Sequence, residues 1–180
     1  RNIFTRLVKK MVNDKCVKAI TTRDDIESLL QFKPDVTDNA VVGDPALWSS
    51  SLYKRNFQQN LIGIGTIRAG IFRVNGRMIA EKDLIDFYVA MIDKLNEQNQ
   101  RWQLFTNGTS ADYNIGLKIL ERLGIEPNEK VIAPQPKTSQ ELISLITQYK
   151  GIIANRMHAH IIATSFDIPT VGFIWNDKIK

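Results

Sequence analysis

The sequence predicts an α/β fold built on a doubly wound, mostly parallel sheet. Apolar segments with strand character alternate with segments of helical periodicity through most of the 180 residues. The apolar segments are continuous rather than alternating, which is typical of parallel strands that helices cover on both faces. The length suits one domain or slightly more.

The first part of the chain gives the weaker pattern. Residues 16–21 are predicted to form a strand, and residues 24–31 a short helix with Asp24 as its N-cap. A brief strand over 40–42 ends at the turn-forming Gly43-Asp44-Pro45.

The rest of the chain repeats strand and helix regularly. The helix predicted over 79–97 has an apolar face at helical spacing, and Gly124 is placed to end the helix over 110–123. Thr138 and Glu141 have capping-box spacing at the start of a helix that runs to 149. A last helix is predicted over 157–166, and the predicted strands are 61–67, 102–106, 130–133, 151–154 and 170–175.

The polar and aromatic stretch 47–60 has no clear period. It predicts a linker between an N-terminal part (1–60, linker included) and a Rossmann-like domain (61–180), with a surface loop inside one domain as the alternative. The chain starts at Arg1 and stops just after an apolar strand, so we expect a piece of a longer protein.

Composition narrows the function classes. A formal net charge of +5 suits anionic ligands, although a solvated basic surface gives the same number. We find no basic stripe interleaved with aromatics for nucleic acid, no metal-ligand spacing, and no apolar run long enough for a membrane span. The single cysteine, Cys16, forms no internal disulfide and is predicted to lie in the core.

The richest chemistry lies where the strand 151–154 meets the next helix. Asn155, Arg156 and His158 occupy this junction. Ligands bind at the carboxyl ends of parallel strands, where helix N-termini favour anions. Arg156 offers a planar fork for a carboxylate or phosphate, and His158 titrates near neutrality. The alternatives are a structural ion pair for Arg156 and a capping or packing role for His158, and His160 is predicted to be structural.

Two further strand ends deliver polar residues. Arg68 follows the strand 61–67 and is predicted to lie toward the ligand cleft, the alternative being a surface arginine in a glycine-rich loop. The same loop imitates a dinucleotide fingerprint, but Arg68 stands where the third glycine belongs and no clear helix follows. Asp44 is a candidate substrate-binding residue whose alternative role is to cap a turn.

Several short motifs, in order, resemble the polysaccharide pyruvyl transferase family. Asn155-Arg156-Met157-His158 followed by 168–172 (Ile-Pro-Thr-Val-Gly) is similar to the signature near the end of that family, and Asp177-Lys178 is similar to the pair that often follows it. Upstream matches are Thr22-Arg23-Asp24 with Ser28, residues 43–47 (Gly-Asp-Pro-Ala-Leu), and residues 105–108 with Asp112.

The resemblance implies an enzyme that moves the pyruvyl group of phosphoenolpyruvate onto two hydroxyls of a sugar, forming a ketal in surface-polysaccharide synthesis. It implies Arg156 and His158 as catalytic residues and Arg68, Asn155, Asp44 and Lys178 as substrate-binding residues. The acceptor would be a sugar, a nucleotide-sugar or a lipid-linked saccharide, with no cofactor and no metal. The expected location is the cytoplasm or the inner face of the membrane, and the fold would resemble one half of a GT-B-type glycosyltransferase.

Two other functions remain open at this point. A two-domain nucleotide-sugar glycosyltransferase shares the architecture, but near residues 158–178 only Asp167 and Asp177 could serve as the carboxylate for the ribose. A non-catalytic module that binds sugars or anions is the second alternative.

Overall fold

The chain divides into two compact units, Arg1–Pro45 and Ala46–Lys180. The computed structural model describes residues 2–23, 25–36, 41–55, 60–74, 76 and 78–173. The two units are described separately below.

The described residues of the first unit include two short helices with side-chain caps. Helix α1 (Ile3–Val12) starts after Asn2, whose side chain accepts a hydrogen bond from the N–H of Phe4. Helix α2 (Ile26–Phe32) is capped by Asp25, which accepts from the N–H of Ser28 at 2.9 Å. The prediction that Asp24 is this cap is therefore wrong by one residue, and Asp24 itself lies outside the described residues.

The strand predicted over 16–21 does not form, and Cys16 is exposed rather than in the core. Local hydrogen bonding explains the difference. The side-chain carboxylate of Asp14 accepts a hydrogen bond from the N–H of Cys16, and the backbone carbonyl of Asp14 accepts one from the N–H of Val17. The N–H groups of Cys16 and Val17 therefore bond within a turn rather than to a neighbouring strand. Of the brief strand predicted over 40–42, the described part shows one parallel bridge, between Val41 and Thr22.

The second unit is built on a four-stranded parallel sheet. Its strands are β1 (Ile62–Gly65), β2 (Trp102–Phe105), β3 (Gly151–Ala154) and β4 (Thr170–Gly172), in the order β2-β1-β3-β4. The prediction of a parallel sheet is confirmed. The strand predicted over 130–133 is reduced to one parallel bridge, Leu104 to Ile132, beside β2. The strand predicted over 170–175 ends at Gly172, and residues 174–175 lie outside the described part.

The longer helices form two groups that pack on opposite faces of this sheet. Helices α5 (Glu81–Glu97) and α6 (Ser110–Leu123) share a core with Ile64 and Leu104. Helices α7 (Ser139–Ile146) and α8 (Met157–Ser165) share another with Phe105 and Ile152. Because neighbouring residues of a strand point to opposite faces, Leu104 and Phe105 serve different cores. The doubly wound α/β prediction is confirmed.

The helix ends follow the predicted signals in part. Helix α6 ends at Gly124, whose φ of 69° is the left-handed conformation that favours glycine. Thr138 caps α7 by accepting from the N–H of Glu141, but α7 stops at Ile146, short of the predicted 149.

Short helical turns occur where none is predicted. The stretch 47–60 contains part of a 3₁₀ turn (Pro45–Trp48) and helix α3 (Ser49–Leu52). Helix α4 (Gly70–Val74) begins two residues after Arg68, so the expectation that no helix follows that loop is wrong.

Gly63 in the middle of β1 allows the ring of Tyr149 to lie directly on the sheet. A Cβ at position 63 would stand 2.5 Å from a ring carbon of Tyr149, which is fully buried and donates its hydroxyl to Gln103 at 2.7 Å. We expect Gly63→Ala to lower the free energy of unfolding by about 1–3 kcal/mol, the usual cost of overpacking a core. Urea denaturation measures this change.

Gly70→Ala is the matched control, because within the described part of the chain no atom beyond its chain neighbours and its own helix backbone lies within 4 Å of that Cβ position. We expect it to be neutral or slightly stabilising. Equal stabilities of the two variants would contradict the packing assigned to Gly63.

Candidate functional site

The connectivity of the sheet changes direction between the neighbouring strands β1 and β3. From β1 the chain passes through α5 to β2 on one side, whereas from β3 it passes through α8 to β4 on the other. Doubly wound folds bind ligands in the crevice at the carboxyl ends of two such strands. Arg68 follows the end of β1, and Arg156 follows the end of β3.

The side chains of these two arginines meet at Asp112, in the first turn of α6. Arg156 donates from Nε and from a terminal nitrogen to Oδ2 of Asp112, at 3.0 and 2.5 Å. A terminal nitrogen of Arg68 lies 3.9 Å from Oδ1 of the same carboxylate. Arg68 and Arg156 therefore lie at one site, as the strand ends predict.

Asp112 is completely buried, and its surroundings account for a charge in that position. The backbone N–H of Arg68 donates to Oδ1 at 3.0 Å, so both carboxylate oxygens are hydrogen-bonded. The first turn of a helix also favours negative charge. Thr66 fixes the backbone there by donating its hydroxyl to the carbonyl of Asp112 at 2.9 Å.

The two guanidinium groups keep donors for a ligand. The side chains of Arg156 and Arg68 are 23% and 42% exposed. Within the described residues, the guanidinium of Arg156 spends two of its nitrogens on Asp112, and that of Arg68 makes only the long contact of 3.9 Å. Two guanidinium ions and one carboxylate leave one net positive charge. The site is suited to an anion.

Asn155 lies beneath this cluster, in the protein interior. It is 2% exposed, and its amide nitrogen lies 3.4 Å from the hydroxyl of Tyr88, which donates to the carbonyl of Gly65 at 3.0 Å. Burial raises the pKa of Tyr88 above its ordinary value, and the negative charge of Asp112 raises it further. Tyr88 therefore acts as a neutral hydrogen-bonding group that joins the end of β1 to the residue after β3.

The two histidines of α8 have different environments. His158 lies in the first turn and is exposed. His160 is partly buried, with Nε2 2.9 Å from the carbonyl of Ala154 and Nδ1 2.5 Å from the hydroxyl of Thr170. A carbonyl only accepts, so Nε2 of His160 carries the proton and the hydroxyl of Thr170 donates to Nδ1. His160 ties α8 to β3 and β4, in agreement with a structural role.

Burial lowers the pKa of His160 below its ordinary value of 6.5. As the pH falls through about 6.5, the unfolded chain takes up a proton before the folded protein does, so the free energy of unfolding decreases. The loss ends below the pKa of the folded state. We expect His160→Gln to be less stable near neutral pH but to show a flatter profile on acidification. Urea midpoints measured against pH for both proteins test this, and parallel profiles would contradict it.

Two further predicted site residues are Asp44 and Lys178. Asp44 belongs to the first unit, where its carboxylate accepts from Arg23 at 2.6 Å. Lys178 lies outside the described residues. Their roles as substrate-binding residues stay predictions.

Neither Asp112 nor Tyr88 is predicted from the sequence to be a site residue. Asp112 is part of the pattern that resembles the family, and Tyr88 belongs to the apolar face predicted for the helix over 79–97. An acid in the first turn of a helix that follows a strand end was the available signal for Asp112.

Metal binding and membrane insertion are two further properties that the described residues address. Among the described residues, no group of three or more histidine, cysteine, aspartate or glutamate side chains is arranged to hold a metal ion. No helix in the described ranges has the length and apolar character needed to cross a bilayer.

The family model for polysaccharide pyruvyl transferase matches residues 2–177 of the 180-residue chain. No curated protein and no solved structure gives a significant match. The match covers nearly all of the sequence and includes Arg68, Asp112, Arg156 and His158. The chain therefore belongs to the polysaccharide pyruvyl transferase family.

Proposed function

We propose that this protein transfers the pyruvyl group of phosphoenolpyruvate onto two hydroxyls of a sugar, giving a cyclic ketal and inorganic phosphate. The observation that carries the proposal is the convergence of Arg68 and Arg156 on the buried Asp112 at the carboxyl ends of β1 and β3. Family membership supports pyruvyl transfer, and the paired arginines fit a donor that carries a phosphate and a carboxylate.

The reaction needs one proton donor and two hydroxyl nucleophiles. A proton adds to the methylene carbon of the donor, so this carbon becomes the methyl group and the neighbouring carbon becomes electron-poor. One sugar hydroxyl adds to that carbon and loses its proton. The carbon–oxygen bond to phosphate then breaks, and the second hydroxyl takes its place. Of the two hydroxyl protons, one balances the proton now on the methyl group and the other leaves with phosphate.

In this proposal Arg156 and Arg68 hold the donor's anionic groups, and His158 transfers the proton. His158 is exposed in the first turn of α8, two residues after Arg156, so it lies close in sequence to the anion-binding arginine. Imidazole titrates close to neutral pH and can serve as acid and later as base. Asn155 supports the site from below through Tyr88.

Family membership supports a saccharide acceptor. We propose a nucleotide-sugar or lipid-linked saccharide as the acceptor, a cytoplasmic reaction, and no metal or organic cofactor. The parallel sheet of the second unit supports the further proposal that residues 61–180 form one half of a GT-B-like pair of domains.

Ligand-dependent melting of the chain tests the donor. We expect phosphoenolpyruvate to raise the melting temperature, because a ligand that binds only the folded state stabilises it. A nucleoside diphosphate sugar and a free oligosaccharide are the comparison ligands. Stabilisation by the nucleotide sugar alone would favour a glycosyltransferase, and stabilisation by the oligosaccharide alone would favour a binding module.

A further inference from the structure

We propose that Asp112 is a positioning residue that holds Arg68 and Arg156 together as one anion site. The identity of the anion rests on the proposed function, because there it is the phosphate or carboxylate of the donor. The positioning itself is independent of the reaction and can be tested with inorganic phosphate.

The two oxygens of the carboxylate serve the two strand ends separately. Oδ1 accepts from the backbone N–H of Arg68 and faces its guanidinium, so it fixes the end of β1. Oδ2 accepts both recorded bonds from Arg156, which follows β3. One acid therefore connects residues that lie 44 positions before it and 44 positions after it.

Both contacts of Arg156 use one side of its guanidinium, Nε and one terminal nitrogen. This geometry fixes the plane of the group and leaves the other terminal nitrogen with no hydrogen-bond partner among the described residues. Holding donors in their binding geometry before the ligand arrives removes part of the entropy cost of binding. Asp112 also offsets the repulsion between two cations in one crevice.

A carboxylate in an anion site also has an opposing effect. Its negative charge lowers the positive potential that an incoming phosphate meets. Removing the charge should strengthen phosphate binding if electrostatics alone decide the outcome, and should weaken it if the arginines lose their positions. The sign of the change separates the two explanations.

Isothermal titration calorimetry of the full chain with inorganic phosphate, at fixed pH and ionic strength, measures whether the phosphate affinity rises or falls. We expect Asp112→Asn to weaken phosphate binding by about tenfold or more, the factor that one lost charge-assisted hydrogen bond represents. We expect Asp112→Glu to weaken it as well, because the charge remains but the longer side chain moves both contacts. Tighter binding by Asp112→Asn with unchanged binding by Asp112→Glu would overturn the inference.

A double-mutant cycle guards against an effect of stability alone. Combining Asp112→Glu with Arg156→Lys should cost less phosphate affinity than the two single changes together, because the first change already misplaces the arginine. Strictly additive losses would overturn the inference. Circular dichroism shows whether each variant is folded. If Asp112→Asn does not fold, the phosphate affinity of Asp112→Glu and the double-mutant cycle decide whether the inference holds.

The same titrations keep the inference separate from the proposed function. A chain that binds phosphate with the expected coupling but is not stabilised by phosphoenolpyruvate has the anion site and a different donor. A chain that binds no phosphate at millimolar concentrations overturns the anion site itself.

Discussion

In the proposed pyruvyl transfer, replacing His158 by asparagine is expected to lower the turnover number by about 10²–10⁴, the usual contribution of a positioned acid or base. Asparagine keeps a hydrogen-bonding side chain but cannot titrate near neutral pH. Since His158 is exposed, the change should have little effect on the stability of the fold. Steady-state release of phosphate, measured as a function of donor concentration, gives the turnover number and the donor KM separately.

His160→Asn is the matched control on the same helix. His160 bonds to Ala154 and Thr170, so its loss should lower stability while the chemical step stays within a few-fold of the wild type when assayed well below the melting temperature. Near wild-type turnover in His158→Asn would show that His158 binds or packs and does not transfer the proton.

Arg156→Lys is expected to weaken donor binding by about 10–100-fold, because a lost charge-assisted hydrogen bond contributes about 1.5–3 kcal/mol. Lysine keeps the positive charge but lacks the planar fork, so it cannot contact Asp112 through two nitrogens and the donor through a third. The turnover number at saturating donor should fall much less than in His158→Asn. Donor saturation curves for both variants separate the two roles.

Arg122→Lys controls for a change from arginine to lysine elsewhere. Arg122 is exposed on α6 and pairs with Asp86 at 3.4 Å, a surface contact of little energetic weight. The donor KM of the Arg122→Lys variant should equal that of the wild type. A lowered turnover number in Arg156→Lys with an unchanged donor KM would place Arg156 in the chemical step rather than in donor binding.

Much of the second unit follows from local sequence signals. Helix α6 starts and ends where predicted. Its end follows from Gly124, which permits the left-handed conformation found there. Strand β3 also has its predicted bounds, since a continuous apolar run between polar turns fits only a strand covered on both faces. Both features depend on residues that are close together in the chain.

The errors concern interactions that local patterns do not contain. Residues 16–21 have the composition of a strand, but the turn at Asp14 binds the first backbone groups, and composition alone does not supply a pairing partner. Helix α1 is an exception, because the helical spacing of Phe4, Leu7 and Met11 is a local signal that the predicted elements do not use. The importance of Asp112 depends on two arginines, each 44 residues away, which only the folded chain brings together.

The pairing of β1 with β3 has a consequence for how the protein folds. Ile62 lies opposite Gly151, so the loop that closes on this pair contains α4, α5, β2, α6 and α7. Contacts of such long sequence separation slow folding and form only after the entropy of loop closure has been met. Arg68 and Arg156 lie on opposite sides of this closure, so neither can help bind an anion in a half-folded chain. Phosphate binding during refolding should therefore appear together with the pairing of β1 and β3 and not before it, so it gives a direct signal that this central pair of strands has joined.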